Sequence, residues 1–378
     1  MLTAFGGMLA LASSQGICRF VYTPILPAMA AGLGMGSSTA GLIASANFLG
    51  YLGGAIAATL KRLPGGRRAW FIGSLCVSAT STAAMGVASG LPAYLALRFA
   101  GGASGAFVLV LATAAVLDAL ADAGRSRLGA LHYAGVGVGI ALSAVVVAGL
   151  EMGGAGWRTL WIVAGLIALA LIPLPADVLR WRAPAIDAAA RPTPMGRGVL
   201  RLSICQFLFG SGYAVTATFL IAMVRAAPAT RTVEPLIWTV VGLCAAPSLL
   251  LWLWVSARIG SRRAYAAAAV LEAAGVLLAG GWPTAAGLLV GAALLGGTFM
   301  GLTALGFAVA HEFGPGGQER RIAILTIGFS LGQALGPLLG GALAEASGSF
   351  WSASALAAAA LLFAAILILT TSSRPAVT

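Results

Sequence analysis

Apolar residues run almost unbroken for about 17 to 29 positions at a time, the length a helix needs to cross a hydrocarbon layer about 30 Å thick. Polar and charged residues gather between these runs. The pattern predicts helices near 3–31, 37–60, 69–89, 92–119, 128–150 and 158–175, then near 198–226, 235–256, 264–281, 284–312, 322–345 and 350–371. The runs are continuous and lack an alternation of period two, which excludes a lipid-facing β-barrel. The stretch 176–197, containing "RWRAPAIDAAARPTPMGR", is the longest polar interval and reads as a linker. It divides the chain into six-helix halves at 1–175 and 198–371, with 372–378 as a tail. The expected fold is an all-α integral membrane protein of twelve transmembrane helices in two pseudo-symmetric halves. The first apolar run has no basic segment before it and no clear cleavage site after it, so it is expected to be a retained helix rather than a signal peptide.

Composition agrees with lipid as the solvent. Of the 378 residues 60% are hydrophobic and only 8% charged, against about 25% charged in soluble domains. The 52 glycines fit helices that approach one another closely in a membrane. Cys18, Cys76, Cys205 and Cys244 each lie inside an apolar run without CxxC spacing, which argues for packing rather than a metal or a disulfide.

The net charge of +12 is distributed, not patched with aromatics, which argues against nucleic acid as a partner. Seventeen of the 22 basic residues fall after even-numbered helices, in or beside the linker, or in the tail. Arg158, Arg225 and Arg231 fall on the opposite side, and Arg19 and Arg98 lie within helices. Basic loops stay cytoplasmic, so both termini are expected there, with the lipid bilayer of a bacterial inner membrane as the host. The halves also repeat weakly. A shift of 194 positions aligns Gly16 with Gly210, Arg19 with Tyr213, Tyr22 with Thr216 and Met29 with Met223, as in duplicated transporters.

Arg19 is the costliest residue in this pattern. An arginine at a helix centre costs about 2.5–3.5 kcal/mol on insertion scales, and its side chain is too short to snorkel about 18 Å to an interface. It must face protein, water or a ligand. At helical spacing Gln15, Arg19 and Tyr22 or Thr23 share a face of helix 1, and Gln206, Tyr213 and Thr216 form a comparable stripe on helix 7. Asn47 and Tyr51 are one turn apart on helix 2. Arg19, Tyr22, Asn47, Tyr51, Gln206 and Tyr213 are therefore the candidate substrate-binding residues. Cavity lining and interhelical bonding remain alternatives for the uncharged ones, and a structural bridge to helix carbonyls or Asn47 for Arg19. Glu272 is the one acid near the middle of an apolar run, placing it between a proton-coupling group and a structural carboxyl bonded to a neighbour. Gly332, Gly336 and Gly340 form a small-residue stripe beside Pro337, expected to make a close, bendable contact between the halves.

Several motifs carry a family resemblance. Arg98-Phe-Ala-Gly-Gly102 on helix 4 resembles the RxxxG motif of the major facilitator superfamily, Gly156-Trp157-Arg158 its outer GWR element, and Gly332-Gln-Ala-Leu-Gly336-Pro337-Leu-Leu-Gly340-Gly341 its GxxxGPxxGG pattern. Arg19-Phe20-x-Tyr22-Thr23-Pro24-x-Leu26-Pro27 and Ser45-Ala46-Asn47-x-x-Gly50-Tyr51 resemble the bacterial YbfB/YjiJ-type branch. The resemblance implies an inner-membrane secondary transporter working by alternating access, with helices 1, 4, 7 and 10 lining the central path, a gating or coupling role for Arg98, and helix 9 at the periphery. The loop Lys61-Arg-Leu-Pro-Gly-Gly-Arg67-Arg68 keeps the superfamily's basic end but lacks its Asp.

The sequence therefore points to a monomeric transporter of a small-molecule substrate, an organic anion or amphiphile, coupled to H⁺. Drug-type efflux of apolar or cationic compounds is the alternative within transport, and a non-transporting membrane sensor or receptor the alternative outside it. No metal, cofactor or Walker motif is expected, and no nucleophile–base constellation points to an enzyme.

The orientation is tested by cysteine labelling in intact cells. An impermeant maleimide should reach Cys placed at Gly90 or Gly281 and miss it at Gly66 or Gly316; labelling at Gly66 would reverse the topology.

Overall fold

The computed structural model describes residues 1–58, 63–181, 196–226, 228–282, 284–314 and 317–371. Lys61, Arg62, Gly316, the linker over 182–195 and the tail over 372–378 lie outside them. The described residues form twelve long helices: α1 (Leu2–Leu33), α2 (Ser37–Ala58), α3 (Gly66–Ala84), α4 (Leu91–Asp122), α5 (Gly129–Met152), α6 (Trp157–Ala170), α7 (Arg197–Ala226), α8 (Glu234–Ile259), α9 (Ser261–Gly281), α10 (Ala285–His311), α11 (Gln318–Ser347) and α12 (Trp351–Leu369). A short helix, Pro173–Val178, continues α6. Eleven of these are long and apolar enough to cross a membrane; the remaining one is α3, which carries Arg67 and Arg68 at its start and Ser74, Ser78, Thr80, Ser81 and Thr82 along it. Tight reversals use glycine where the backbone enters the left-handed region. Gly34, at φ +62°, ends α1 three residues before α2 begins, and Gly260, at φ +86°, joins α8 to α9.

Small residues set the helix pairings. In the first half, a Cβ at Gly50 or Gly54 of α2 would strike the backbone of α4 at Phe99 or Ala103. A Cβ at Gly16 of α1 would meet Gly139 of α5, and one at Gly210 of α7 would meet Phe329 of α11. Gly16 and Gly210 are the residues that the 194-position shift superposes, so the two halves use equivalent glycines for equivalent pairs, α1–α5 and α7–α11. The polar stripe of α11 belongs to this second pairing. Gly332 and Gly336 face the backbone of Phe207 and Ser211, and a Cβ at Gly340 would lie 3.1 Å from the Val215 side chain, all on α7. The expectation that Gly332, Gly336 and Gly340 meet the opposite half is thus corrected. The reason is rotational: the next face of α11, Pro337 and Gly341, is the one against α2, at Gly41 and Ser37.

The halves meet along two seams, α2 against α11 and α5 against α8. In the second seam Gly137 and Ala141 interlock with Gly242 and Ala246. The outer part of α1 also lies on α7. A series of hydrogen bonds and an ion pair cross from one half to the other between mid-bundle and the end opposite Met1. Ser45 Oγ donates to the Ala334 carbonyl at 2.6 Å, the Ser38 amide to Glu345 Oε2 at 2.8 Å, and Thr23 Oγ1 to the Ala217 carbonyl. At that end Arg225 Nη2 grips both oxygens of Glu151 at 2.9 and 2.8 Å and its Nε reaches Glu234 at 2.5 Å. These contacts tie the bundle at the end opposite Met1.

Two glycine substitutions should separate the two kinds of contact. Gly336→Leu wedges α11 from α7 inside one half and should lower thermal stability in detergent, by about 1–3 kcal/mol for an overpacked contact. Gly41→Leu wedges the seam between halves and should instead raise maleimide labelling of a cysteine placed at Ser38, with less effect on the melting temperature. Equal behaviour of the two variants would contradict the assignment.

Candidate functional site

The first helix is not regular. Ala12–Arg19 is π-helical, a turn at Phe20 and Val21 follows, and α-helix resumes at Tyr22. Pro24 is the local cause. It has no N–H for the carbonyl of Phe20 four residues back or, in π register, for that of Arg19 five back. Freed carbonyls in lipid need another donor. The Thr23 amide reaches the Phe20 carbonyl at 3.3 Å, and Arg98 of α4 takes the Arg19 carbonyl through Nη2 and the neighbouring Cys18 carbonyl through Nη1, each at 3.2 Å. The Arg98 side chain is buried, its guanidinium lying 5.0 Å from the Tyr22 ring centroid and 5.8 Å from that of Trp161. Asn47 of α2 donates to the backbone carbonyl of Arg98 at 2.9 Å, fixing the turn of α4 that carries it. Arg98 and Asn47 are therefore brought together as a clamp on the break in α1.

The π segment changes the face on which the following side chains emerge. Gln15 and Arg19 bond to each other, Arg19 and Tyr22 both turn toward α2, and Thr23 turns to α7. Tyr22 bonds to the Ala40 carbonyl of α2 at 2.8 Å, and Thr23 crosses to α7. Arg19 points between α1 and α2. Its Nη1 donates to Gln15 at 3.1 Å, and Gln15 is itself held by the Gly105 carbonyl of α4 at 2.7 Å. The guanidinium lies 4.2 Å from the Tyr51 ring centroid, 5.1 Å from Phe48 and 5.5 Å from Phe20. Arg19 Nε and Nη2 are buried without a hydrogen-bond partner, and no acidic side chain pairs with it among the described residues. The charge is held by ring faces, each worth about 0.5–2 kcal/mol depending on desolvation.

Across the seam, Phe299 of α10 connects Arg19's surroundings to the second half. Its ring centroid lies 5.9 Å from Phe20 and 5.7 Å from Tyr213. Tyr213 is also stacked on Phe209 and Phe329 and accepts a hydrogen bond from Gln333 of α11. Gln206 lies elsewhere. Its Oε1 accepts from the Tyr265 hydroxyl of α9 at 3.1 Å, away from the Tyr213 stack. Glu272, on α9, is fully buried against Thr298 of α10. Of the residues picked from sequence, Arg19, Tyr51 and, through Phe299, Tyr213 converge, while Tyr22 and Asn47 support them from behind and Gln206 and Glu272 stand deeper in the second half. Sequence reasoning missed Phe299, Gln333 and the Arg225–Glu151 pair. Gln333 lies within the glycine stripe and was a visible signal; the others are ordinary residues until the halves are assembled.

The sequence family described as "Uncharacterised MFS-type transporter YbfB" matches residues 11–369. The chain belongs to this family. The fold agrees: a nucleoside transporter NupG D323A mutant superposes with TM-score 0.76 at 13% identity, covering 98% of this chain and 100% of that one. The inward open xylose transporter XylE from E. coli superposes with TM-score 0.76 at 14% identity, covering 98% and 95%. A search of curated protein sequences found no match. The transporter, a multi-pass membrane protein and not an enzyme, thus has the major facilitator fold.

The clamp on α1 has a direct test. A lysine at position 98 keeps the charge but cannot fork to two carbonyls. Arg98→Lys should therefore destabilise the purified transporter nearly as much as Arg98→Ala, by a few kcal/mol at most for charged hydrogen bonds at about 1.5–3 kcal/mol each, read as a drop in melting temperature. Full stability of Arg98→Lys would show that the two carbonyls do not depend on the fork.

Proposed function

We propose that the protein is a proton-driven secondary transporter of small organic anions, acting as a monomer in the bacterial inner membrane with both termini cytoplasmic. The observation that carries this reading is Arg19: a guanidinium at the meeting of the halves with Nε and Nη2 unpartnered and, among the described residues, no acid paired to it. Leaving a charged donor unmatched in a low-dielectric site is costly, and a planar carboxylate matches its fork. In the sealed state ring faces of Phe20, Phe48 and Tyr51 cover the cation. A substrate anion displaces them, and Tyr51 and Tyr213 then contact the rest of the molecule. Alternating access follows from the two seams, α2–α11 and α5–α8, about which the halves rock.

Efflux of apolar or cationic compounds is the second reading. The connected rings of Phe20, Trp238, Phe299, Tyr213 and Phe329 favour it.

A thermal-shift screen pairing carboxylic acids with their amides separates the readings. A ligand at a hundredfold excess over its dissociation constant stabilises by about 2.7 kcal/mol. The anion reading expects acids, not amides, to raise the melting temperature of the wild type, with the effect lost in Arg19→Ala and strongly reduced in Arg19→Lys. Stabilisation by acid and amide alike overturns it, and stabilisation by apolar cations that persists in Arg19→Ala supports the second reading.

A further inference from the structure

Glu272 sits on the seam between α9 and α10 with none of its side chain exposed. Its Oε2 lies 3.0 Å from Thr298 Oγ1, and its Oε1 is buried without a hydrogen-bond partner. The same threonine hydroxyl lies 2.6 Å from the Leu294 carbonyl oxygen. A threonine carries one hydroxyl proton, and a carbonyl can only accept. The shorter contact takes that proton. The contact with Oε2 then has a proton only if Glu272 supplies it. Hydrogen-bond accounting thus describes a neutral carboxylic acid donating to Thr298, in a place where no ion pair reaches it among the described residues.

We infer that Glu272 is a proton-binding site of this transporter, and that its occupancy is passed through Thr298 and Phe299 of α10 to the Arg19 site; the inference rests on the reading of the chain as proton-driven. The step is a simple ionisation. The carboxylic O–H breaks, the proton leaves to water, and the electron pair stays on Glu272 as carboxylate. The carboxylate then has no donor, because the Thr298 proton is committed to Leu294. Turning the Thr298 hydroxyl toward Oε2 still leaves Oε1 without a donor, so the carboxylate is satisfied only when water enters the seam. The seam is tight: a Cβ on Gly275 would lie 2.8 Å from Leu294 Cβ, and one on Gly291 would lie 2.8 Å from the Gly275 carbonyl. Admitting water therefore separates α9 from α10 and displaces Phe299, whose ring touches both Phe20 and Tyr213. Proton release at Glu272 and uncovering of Arg19 become parts of one movement.

Few other groups can titrate here. Tyr265 of α9 and Tyr213 and Cys205 of α7 are the neighbours with titratable side chains, and Tyr265 is already bonded to Cys205 and Gln206 backbone and side-chain oxygens respectively. Cys244 of α8 stands apart on that helix, α12 has no titratable residue, and α10 has only His311 at its far end. Arg262 and Glu312 pair with each other at the helix ends at 3.1 Å.

The test uses the whole protein and protons alone. Infrared difference spectra between acid and alkaline buffer should show a protonated-carboxyl band that Glu272→Gln removes and Thr298→Val shifts in frequency. Spin labels at Ala121 and Ala323, on exposed positions of opposite halves, should report a pH-dependent distance change that Glu272→Gln abolishes. A band that survives in Glu272→Gln, or an undiminished distance change in that variant, overturns the inference. So does a band assigned to Glu272 with no pH-dependent movement, which makes it a structural acid. If Glu272→Gln fails to insert, Thr298→Val alone decides through the shift. None of these readings needs a substrate, so failure of the acid–amide screen at Arg19 would leave them standing, and their failure would leave that screen intact.

Discussion

Lipid offers no partner to a peptide carbonyl, and this constraint governs the centre of the molecule. Pro24 interrupts α1 in mid-membrane, and one buried guanidinium, Arg98, takes up the Arg19 carbonyl together with its neighbour, the Cys18 carbonyl. The break rotates Arg19 toward α2, and the aromatic rings of Phe20, Phe48 and Tyr51 close over it. Two arginines in one apolar region thus play unlike parts. The fork of Arg98 is consumed by backbone, while Arg19 keeps donors in reserve.

Around this centre the bundle uses two grades of contact. Within each half, glycines let helix backbones touch, so the six helices behave as a rigid unit. Between halves, the seams are lined by small residues too, but their polar ties gather toward one end, where Arg225 joins Glu151 and Glu234.

The sequence revealed the number and length of the helices because bilayer thickness sets both, and the long polar stretch 176–197 read as the linker between two halves. Arg19 stood out because of its insertion cost. What surrounds it did not, since Phe48 and Tyr51 arrive from another helix and a cation held by ring faces leaves no complementary charge to search for. The π segment was invisible to a pattern that assumes 3.6 residues per turn, and that pattern could not tell Tyr22, which turns to α2, from Thr23, which turns to α7. Spacing showed that Gly332, Gly336 and Gly340 form a groove, but a groove does not name the helix that fills it. Arg225 and Glu151, 74 positions apart, looked like separate loop charges.

The α1 break also bears on how the protein is made. Helices enter the membrane in order of synthesis, and Arg98 follows the Arg19 carbonyl it satisfies by 79 residues. Until α4 emerges, α1 holds an intramembrane arginine and two carbonyls without their native donors. That leaves α1 a poor guest of the lipid on its own, and its stable residence waits on the arrival of α4. The first and fourth helices therefore complete each other's hydrogen bonding across the two helices made between them.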